Sequence, residues 1–308
     1  MFSIVVPVHN EEDNLDTLHE RLTAVMQTLG SWEVIYVNDG SRDRSLQCLQ
    51  ALRRRDPRVA IVNLSRNFGK EIATTAGLDH AAGDAVVIID ADLQDPPEVI
   101  PDLVAAWRNG YDMVYAQRRH RAGETWLKRT TANLFYRLMA QVSRVDMPRN
   151  TGDFRLMSRR ATDAVRQLRE HHRFMKGLFA WVGFPSIAVP YDRAPRYAGK
   201  TKWNYWQLWN FALEGITSYT VVPLKLATYV GFVVALGALV YGFIIVVRTL
   251  LFGNPVAGYP SLVTIVLFLG GLQLMTLGVI GEYLGRVFNE TKQRPLYYVE
   301  HFEPSEPN

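Results

Sequence analysis

The stretch AVVIIDADLQDP, residues 85–96, places an apolar, β-branched run directly before a cluster of carboxylates. A short apolar run bounded by polar residues is typical of a buried strand that ends where the charged residues begin. Similar runs occur at Phe2–Val8, Trp32–Asn38 and Val59–Leu64, with a weaker one at Met113–Ala116. These runs predict five strands, the fourth spanning Ala85–Asp90.

Segments of helical length and pattern separate these predicted strands. They lie at roughly Glu11–Leu29, Ser41–Arg55, Phe68–Ala82 and Pro97–Asn109. Short apolar strands that alternate with helices indicate βαβ units and a mostly parallel sheet covered on both faces. The sequence therefore predicts a Rossmann-like, doubly wound α/β domain in the N-terminal part of the chain.

Composition excludes several classes of protein. The 308 residues include 34 Lys and Arg against 30 Asp and Glu, and 48% of them are hydrophobic, which is near the globular average. Wholesale disorder and a chain made only of membrane spans are therefore excluded. The single Cys48 excludes an intrachain disulfide and a cysteine-rich zinc site. The first apolar run is broken by Pro7, so no cleaved signal peptide is expected.

Polar residues follow each of the first four predicted strands. The four sets are His9–Glu12, Asp39–Ser41, Arg66–Lys70 and Asp90–Asp95. Taken alone, Asp39-Gly40-Ser41 could be no more than a turn and a helix cap. Ligands of parallel sheets bind outside the carboxyl ends of the strands, so four polar strand ends on one rim favour a binding site.

Two common nucleotide-binding motifs do not fit this chain. No Gly-x-Gly-x-x-Gly follows the first strand, which removes the main support for a dinucleotide site. Gly199-Lys200-Thr201 resembles the end of a phosphate loop, but the first glycine of that loop would fall at Ala194. A nucleotide, if bound, is held in another way.

Asp90 and Asp92 stand two residues apart at the end of the fourth predicted strand. Carboxylates placed in this way can converge on one Mg²⁺ or Mn²⁺ ion, which takes its other ligands from water and phosphate oxygens. The alternative is a pair of solvated loop aspartates before a helix. The other polar strand ends favour the metal, which would neutralise a diphosphate leaving group.

A basic block extends from Arg118 to Lys176, with 15 Lys and Arg against 5 Asp and Glu. Apolar residues recur in it at helical spacing near 126–142, as in an amphipathic helix on an anionic bilayer. An ordinary core-facing helix with a solvated basic face is the alternative. Nucleic acid is not expected as a partner, because no recognised nucleic-acid module is present.

Two segments, Leu226–Val247 and Ser261–Gly281, contain no Asp, Glu, Lys or Arg and have 22 and 21 residues. Each is long enough to cross a bilayer of about 30 Å as a helix. The loop between them carries only Arg248, so the positive-inside rule places both ends of the chain in the cytoplasm. A buried hairpin in a soluble core is the alternative.

These patterns predict four segments. They are a cytoplasmic α/β domain over 1–203, including the basic helix near 126–142; an interfacial amphipathic helix over 204–222; a transmembrane hairpin over 223–284, with spans near 226–250 and 260–283; and a cytoplasmic tail over 285–308.

Four motifs together resemble one known family. They are IVVPVHNEE (4–12), VNDGS (37–41), DADLQDP (90–96) and RYAGKTKW (196–203). The combination is similar to family 2 glycosyltransferases that load a sugar onto a polyprenyl phosphate, and RNFGKE (66–71) is closest to the bactoprenol glucosyltransferase branch. The resemblance covers nearly the whole chain, including the two predicted spans.

The resemblance implies a GT-A fold, inversion at the anomeric carbon and a role for each matching residue. It assigns the nucleotide-sugar to Pro7, Asn10, Glu11, Asp39, Lys70, Asp90, Ala91 and Asp92, with a minor role for His9. It assigns the metal, Mg²⁺ or Mn²⁺, to Asp90, Asp92 and Gln94. It assigns the acceptor phosphate or diphosphate to Arg118, Arg129, Asn133, Arg196 and Lys202, and catalysis to Asp92 and Asp153.

The leading hypothesis is transfer of glucose from a UDP-sugar to undecaprenyl phosphate at the cytoplasmic face of a bacterial inner membrane. Alternatives are another donor, such as GDP-mannose or a UDP-aminoarabinose derivative, and a membrane-anchored scaffold without activity. A processive polysaccharide synthase would carry Gln-x-x-Arg-Trp where this chain has residues 171–175, HHRFM. The sequence leaves the oligomeric state open, a homo-oligomer included.

Overall fold

The structure is a computed structural model that describes residues 1–119, 151–171, 173–192, 222–252 and 258–306. The two predicted amphipathic helices, near 126–142 and over 204–222, lie outside these ranges except for the last residue, Val222.

The described residues form eight strands and eight α-helices. The strands are β1 (Phe2–Val8), β2 (Trp32–Asn38), β3 (Val59–Leu64), β4 (Ala85–Ile88), β5 (Met113–Arg118), β6 (Thr151–Ser158), β7 (Ser186–Tyr191) and β8 (Val299–Glu303). The helices are α1 (Leu15–Met26), α2 (Ser45–Arg55), α3 (Lys70–His80), α4 (Ile100–Arg108), α5 (Arg159–Gln167), α6 (Met175–Trp181), α7 (Val222–Phe252) and α8 (Tyr259–Thr291), with a short 3-10 turn, Pro97–Val99, before α4.

All eight strands belong to one sheet in the order β7-β5-β6-β4-β1-β2-β3-β8. Strands β4, β1, β2 and β3 run parallel, as do β5 and β7, whereas β6 and β8 are antiparallel to their neighbours. The predicted α/β class with a mostly parallel sheet is confirmed. The antiparallel strands β6 and β8 were not predicted.

The core lies on the two faces of the parallel strands, whose side chains are almost wholly buried. Such continuous apolar strands are expected where helices cover both faces of a sheet. Helix α3 approaches β1 closely at Gly77, where an added Cβ would lie 2.2 Å from Val5 Cγ1. The glycine therefore lets the helix that begins at Lys70 lie directly on the strand beside the site.

The first three βα helices begin later than predicted. Helix α1 begins at Leu15 rather than Glu11, α2 at Ser45 rather than Ser41, and α3 at Lys70 rather than Phe68. The residues before them donate backbone hydrogen bonds across to neighbouring loops instead of entering a helix. Strand β4 likewise ends at Ile88 rather than Asp90, so the acidic residues stand outside the ladder.

The chain divides into two compact units, Met1–Trp209 with Arg294–Asn308, and Asn210–Gln293. The second unit contains the long helices α7 and α8. Within the described residues, one segment, Ala227–Ile244 of α7, has the length and apolar character of a membrane span, with a mean hydropathy of 2.0. A second span in α8 therefore stays a prediction.

Candidate functional site

The loops after β1 and β2 bind each other through backbone donors. Asn10 N donates to Ser41 Oγ at 3.1 Å, and Glu11 N donates to Ser45 Oγ at 2.9 Å. In return, Arg42 N donates to Asn10 Oδ1 at 2.8 Å. Asn10 adopts φ 55°, a left-handed conformation that asparagine tolerates better than most residues. This reciprocal bonding is why α1 and α2 begin late.

Asp39 connects the end of β2 to the loop after β3. Its Oδ1 accepts a hydrogen bond from Phe68 N at 2.7 Å, and its Oδ2 accepts one from Gly69 N at 2.9 Å. Gly40 follows with φ 60°, and an added Cβ would lie 2.4 Å from Asn67 N. A glycine is required here because the two loops pass each other backbone against backbone.

His9 and Pro7 lie at the same end of β1. The imidazole Nδ1 of His9 is 2.9 Å from Asp39 O, and Nε2 is 3.2 Å from Asn10 Nδ2. Pro7 occupies the strand itself, opposite Val37 of β2. The structure therefore brings Pro7, His9, Asn10 and Asp39 to one edge of the sheet, together with the backbone of Glu11.

Beside this edge lies a cluster of charged residues from β4, α3 and β6. The ammonium nitrogen of Lys70 is 2.7 Å from the carboxylate of Asp90 and 2.6 Å from Asp153 Oδ2. Asp90 Oδ1 and Asp153 Oδ1 are buried and accept no hydrogen bond within the described part of the chain, although Asp90 Oδ1 lies close to the ammonium. The cluster thus holds buried carboxylate oxygens that can still accept hydrogen bonds.

The electrostatics of this cluster follow from burial and from the charge of Lys70, which bridges the two carboxylates. Burial opposes ionisation of Lys70, but the carboxylates of Asp90 and Asp153 outweigh it and raise the pKa of Lys70. Burial also works against the Asp153 carboxylate, yet Lys70 and Lys176 hold its pKa well below the usual range. The pKa of Asp90 is raised, because its burial outweighs the effect of Lys70. Asp153 is therefore an anion across the physiological pH range.

Asp92 and Gln94 lie in the tight loop after β4. Asp92 Oδ1 accepts a hydrogen bond from Gln94 N at 3.2 Å, and Leu93 between them adopts φ 58°. Asp92 and Gln94 are half-buried, whereas Ala91 is buried. The loop therefore leaves the Asp92 side chain partly accessible, like that of Asp90, of which the Oδ1 atom is buried.

The residues present fit a hard divalent cation in the chemistry of their donors. Asp90 and Asp92 offer carboxylate oxygens, one of which is buried and accepts no hydrogen bond within the described residues. Those residues contain no group of three or more His, Cys, Asp or Glu that could enclose a metal ion. One or two carboxylates with water and substrate phosphate oxygens is the usual coordination of Mg²⁺ in such sites.

Arg118 at the end of β5 lies near this loop. Its Nε donates to Tyr191 Oη at 3.2 Å, and its Nη2 is 4.0 Å from Asp95 Oδ1. Tyr191 Oη in turn donates to the buried carboxylate of Asp95. An added Cβ on Gly152 would lie 3.1 Å from Arg118 Nη2, so the guanidinium rests against the β6 backbone.

The other predicted phosphate-binding residues, Arg129, Asn133, Arg196 and Lys202, lie outside the described residues.

Three charged residues that sequence reasoning missed lie next to Asp153. Burial, with help from Asp153, raises the pKa of Glu71 to about 7, and Glu71 Oε2 accepts a hydrogen bond from Met175 N at 3.3 Å. Burial lowers the pKa of Lys176. Arg155 is 5% exposed and its guanidinium carbon lies 3.7 Å from the centroid of the Phe179 ring. The available signal was a charged residue inside an apolar run, FRLM at 154–157.

Comparisons with known proteins give matches to both parts of the chain. The family model described as Glycosyl transferase family 2 matches residues 3–166, and the model described as GtrB C-terminal hairpin matches residues 222–287.

Two relatives illustrate the similarity. The glycosyltransferase sll0501 of Synechocystis sp. is 55% identical over 298 residues, covering 96% of this chain and 94% of that protein. The bactoprenol glucosyl transferase of Shigella phage SfV is 49% identical over 300 residues, covering 97% of each chain.

Among solved structures, a match is the glucosyl-3-phosphoglycerate synthase of Mycobacterium tuberculosis in complex with Mn²⁺, UDP-glucose and phosphoglyceric acid. It is 19% identical, has a TM-score of 0.48, and the alignment covers 69% of this chain and 76% of that one.

Proposed function

The chain belongs to glycosyltransferase family 2, and from that premise we propose that it transfers glucose from UDP-glucose to a polyprenyl phosphate such as undecaprenyl phosphate. The product is a polyprenyl-monophosphate sugar with the opposite anomeric configuration to the donor. Several relatives at 47–49% identity over nearly the full chain carry the name bactoprenol glucosyl transferase, which supports this acceptor and this sugar.

The observation that carries the proposal is the charged cluster at the end of β4, where Lys70 bridges Asp90 and Asp153. A donor diphosphate brings negative charge to this edge and needs cations there, whereas a developing positive charge at the sugar needs an anion. The cluster offers both charges, because the Lys70 ammonium is a cation and the carboxylates of Asp90 and Asp153 lie within hydrogen-bond distance of it. A simple turn or helix cap has no need of buried, incompletely bonded carboxylates.

We assign the base and ribose of the donor to the edge formed by Pro7, His9, Asn10, Glu11 and Asp39. Both Asp39 oxygens already accept backbone hydrogen bonds, so this residue first shapes the pocket, and only its remaining lone pairs face a ligand. The diphosphate belongs with Lys70 and with the 90–94 loop. In this arrangement the sugar lies beside Asp153.

Asp90 and Asp92, with Gln94, would hold the divalent cation. When bound, the ion neutralises the diphosphate leaving group. The Lys70 ammonium lies 2.7 Å from the Asp90 carboxylate and compensates its charge, and a hydrogen bond from Gln94 N orients Asp92. The protein would thereby present the carboxylates of Asp90 and Asp92 to the cation.

The acceptor needs no general base. A phosphate monoester carries about −1.5 to −2 charge at neutral pH and is a nucleophile without losing a proton. Catalysis then depends on aligning the acceptor oxygen with the anomeric carbon and on neutralising the leaving group. We assign Arg118, which contacts Tyr191 and Asp95, to the acceptor phosphate, and we assign Arg129, Asn133, Arg196 and Lys202 to the acceptor phosphate or the donor diphosphate.

Asp153 stays ionised beside two lysines, so it does not donate a proton. We assign it to orienting the sugar and stabilising positive charge at the anomeric carbon. Near-normal turnover of a well-folded Asp153→Asn variant would remove it from this role.

We further propose that α7 and α8 cross the bilayer as a hairpin, with the catalytic domain and both termini in the cytoplasm of a bacterial cell. The pairing of β8 of the tail with β3 of the N-terminal domain supports a placement of the chain before α7 and after α8 on one side of the membrane. This placement would need an even number of crossings. With one apolar span in α7, a second span in α8 would supply that number.

The reaction is tested with full-length protein in detergent, undecaprenyl phosphate, Mn²⁺ or Mg²⁺, and either UDP-glucose or GDP-mannose. We expect lipid-dependent release of UDP that EDTA abolishes. Release from GDP-mannose alone would replace the donor and keep the mechanism. If neither donor releases a nucleoside diphosphate, other UDP-sugars, including aminoarabinose derivatives, would be tested next. No release from these donors, together with absent nucleotide binding, would favour a scaffold.

A further inference from the structure

Strand β8, at the outer edge of β3, contains a β-bulge. Asn63 of β3 pairs with His301 and Leu64 pairs with Val299, so Glu300 is an extra residue at that step. A bulge turns a side chain away from the regular alternation of a strand and is common beside functional sites. Here it brings Glu300 Oε2 to 2.8 Å from Asn63 Nδ2.

Asn63 also contacts the neighbouring strand β2. It lies directly opposite Asn38 of β2, and Asn38 Nδ2 donates to Asn63 Oδ1 at 2.7 Å. Both amides are buried, with 9% and 2% of their surface exposed. In a buried pair of amides, each group must take one particular orientation so that its oxygen and its NH₂ group both have hydrogen-bond partners.

Asn38 in turn contacts the loop after β2, which belongs to the edge that we assign to the base and ribose of the nucleotide-sugar. Ser41 N donates to Asn38 Oδ1 at 3.3 Å, and Ser41 Oγ accepts the hydrogen bond from Asn10 N. Three hydrogen bonds therefore run from the tail, through two strands, to the Asp39-Gly40-Ser41 turn.

The carboxylate decides the orientation of both amides. An ionised glutamate only accepts hydrogen bonds, so Asn63 must turn its NH₂ group outward and its oxygen toward Asn38. Asn38 must then present its NH₂ group to Asn63 and its oxygen to Ser41 N. Without Glu300, the opposite orientation of the pair is open to both amides and would set an NH₂ group against Ser41 N.

We propose that Glu300 is a positioning residue for the nucleotide-sugar, acting through Asn63 and Asn38 on the turn after β2. The inference rests on the proposed donor site at that edge. It makes the C-terminal tail part of the donor-binding machinery, although the tail lies more than two hundred residues along the chain from Asn63.

The test uses full-length protein in detergent and measures UDP-glucose affinity by calorimetry, with kcat and the acceptor KM from UDP release. Glu300→Leu should weaken donor binding about three- to tenfold, the effect of losing roughly one hydrogen bond. The acceptor KM should stay unchanged. Glu300→Gln should bind the donor within about twofold of the unaltered protein, since its amide oxygen can still accept from Asn63.

Glu303→Leu is the matched control for loosening of the tail. Glu303 also lies on β8, but its carboxylate pairs with Arg53 at 3.6 Å and does not touch Asn63. Equal weakening of donor binding by Glu300→Leu and Glu303→Leu would overturn the inference, because docking of the strand alone would then explain both.

A reversed pair tests the path through Asn63. Asn63→Asp sets two carboxylates against each other and should weaken donor binding. Adding Glu300→Gln should restore it, because the new amide donates to Asp while the other carboxylate oxygen still accepts from Asn38. No restoration, or normal donor binding by Glu300→Leu, would overturn this inference alone. Absence of nucleotide binding by the unaltered protein would overturn the proposed function as well.

Discussion

The two halves of the site satisfy their polar groups in different ways. At the ends of β1, β2 and β3, side chains such as Asp39 and Asn10 are bonded to backbone donors of neighbouring loops. At the ends of β4 and β6, carboxylates depend on Lys70 and leave buried oxygens without hydrogen bonds among the described residues. The first half is a frame of loops that these backbone hydrogen bonds hold together; the second is a charged cluster with carboxylate oxygens that accept no hydrogen bond among the described residues.

The difference indicates what each half does. A pocket for a base and ribose gains from preorganised loops, because less conformational entropy is lost when the ligand binds. A site for a diphosphate and a cation gains from charge that the protein itself does not fully neutralise. Substitutions in the frame should therefore alter donor affinity, whereas substitutions in the cluster should alter turnover or the response to pH.

The largest effect is expected for Asp92→Asn in the cluster. Loss of a carboxylate from the proposed cation site should reduce turnover by about a hundredfold to a thousandfold, the size seen when one charge-stabilising group is removed. UDP release in the presence of saturating donor and metal measures it. Asp102→Asn, the same change on the exposed face of α4, is the control and should be neutral. Turnover within a fewfold of normal in Asp92→Asn would contradict the assignment.

Gly40→Ala tests the frame and should mainly weaken donor binding. The new Cβ would meet Asn67 N at 2.4 Å, so the two loops must separate. We expect a loss of affinity of about tenfold or more, which corresponds to at least about 1.4 kcal/mol. Gly110→Ala is the matched control, because it also has positive φ but nothing within 4 Å of the added Cβ. If both variants bind UDP-glucose equally well, the close approach of the loops does not shape the pocket.

Glu71→Gln tests the charge of the cluster through the pH dependence of stability. The pKa of Glu71 is raised from 4.5 to about 7 in the folded protein. The folded state therefore binds more protons than the unfolded state across this window, and stability falls as the pH rises through it. Glutamine removes this loss of stability. The melting temperature of the variant should therefore be a few degrees higher than that of the unaltered protein at about pH 8, and the two should be equal at about pH 4.5.

Tryptophan fluorescence during heating at the two pH values measures this difference. A melting temperature shift of the same size at both would show that packing, and not ionisation of Glu71, is responsible.

The smallest effect is expected for Tyr191→Phe, at the margin of the cluster. The phenol orients Arg118 and donates to the buried Asp95. Its loss should raise the acceptor KM about two- to fivefold through misplacement of the guanidinium and leave donor affinity unchanged. Tyr111→Phe, at the edge of the core, serves as the control. A change in donor affinity instead would transfer Arg118 to the donor diphosphate.

The sequence alone was sufficient to predict those elements in which the local residue pattern and the burial agree. The bounds of β1, β2 and β3 were predicted to the residue, because each is a mostly apolar run whose side chains are buried on both faces of the sheet. The polar rim at their carboxyl ends was predicted for the same reason, since parallel strands present those ends on one edge. Helix starts were placed too early, because the side chains of Ser41 and Ser45 capture the preceding backbone donors.

Tertiary structure decided what depends on partners distant in the chain. The antiparallel strand β6 brings Asp153 to Lys70 from 83 residues away, and no local periodicity encodes that contact. The tail likewise reads as a short polar segment until β3 offers it an unpaired edge. The sequence by itself determined the parallel sheet and its polar rim, because burial of alternating strands and helices follows local pattern. Only the tertiary structure decided which charges meet at that rim, because ion pairs and edge strands depend on where distant segments come together in space.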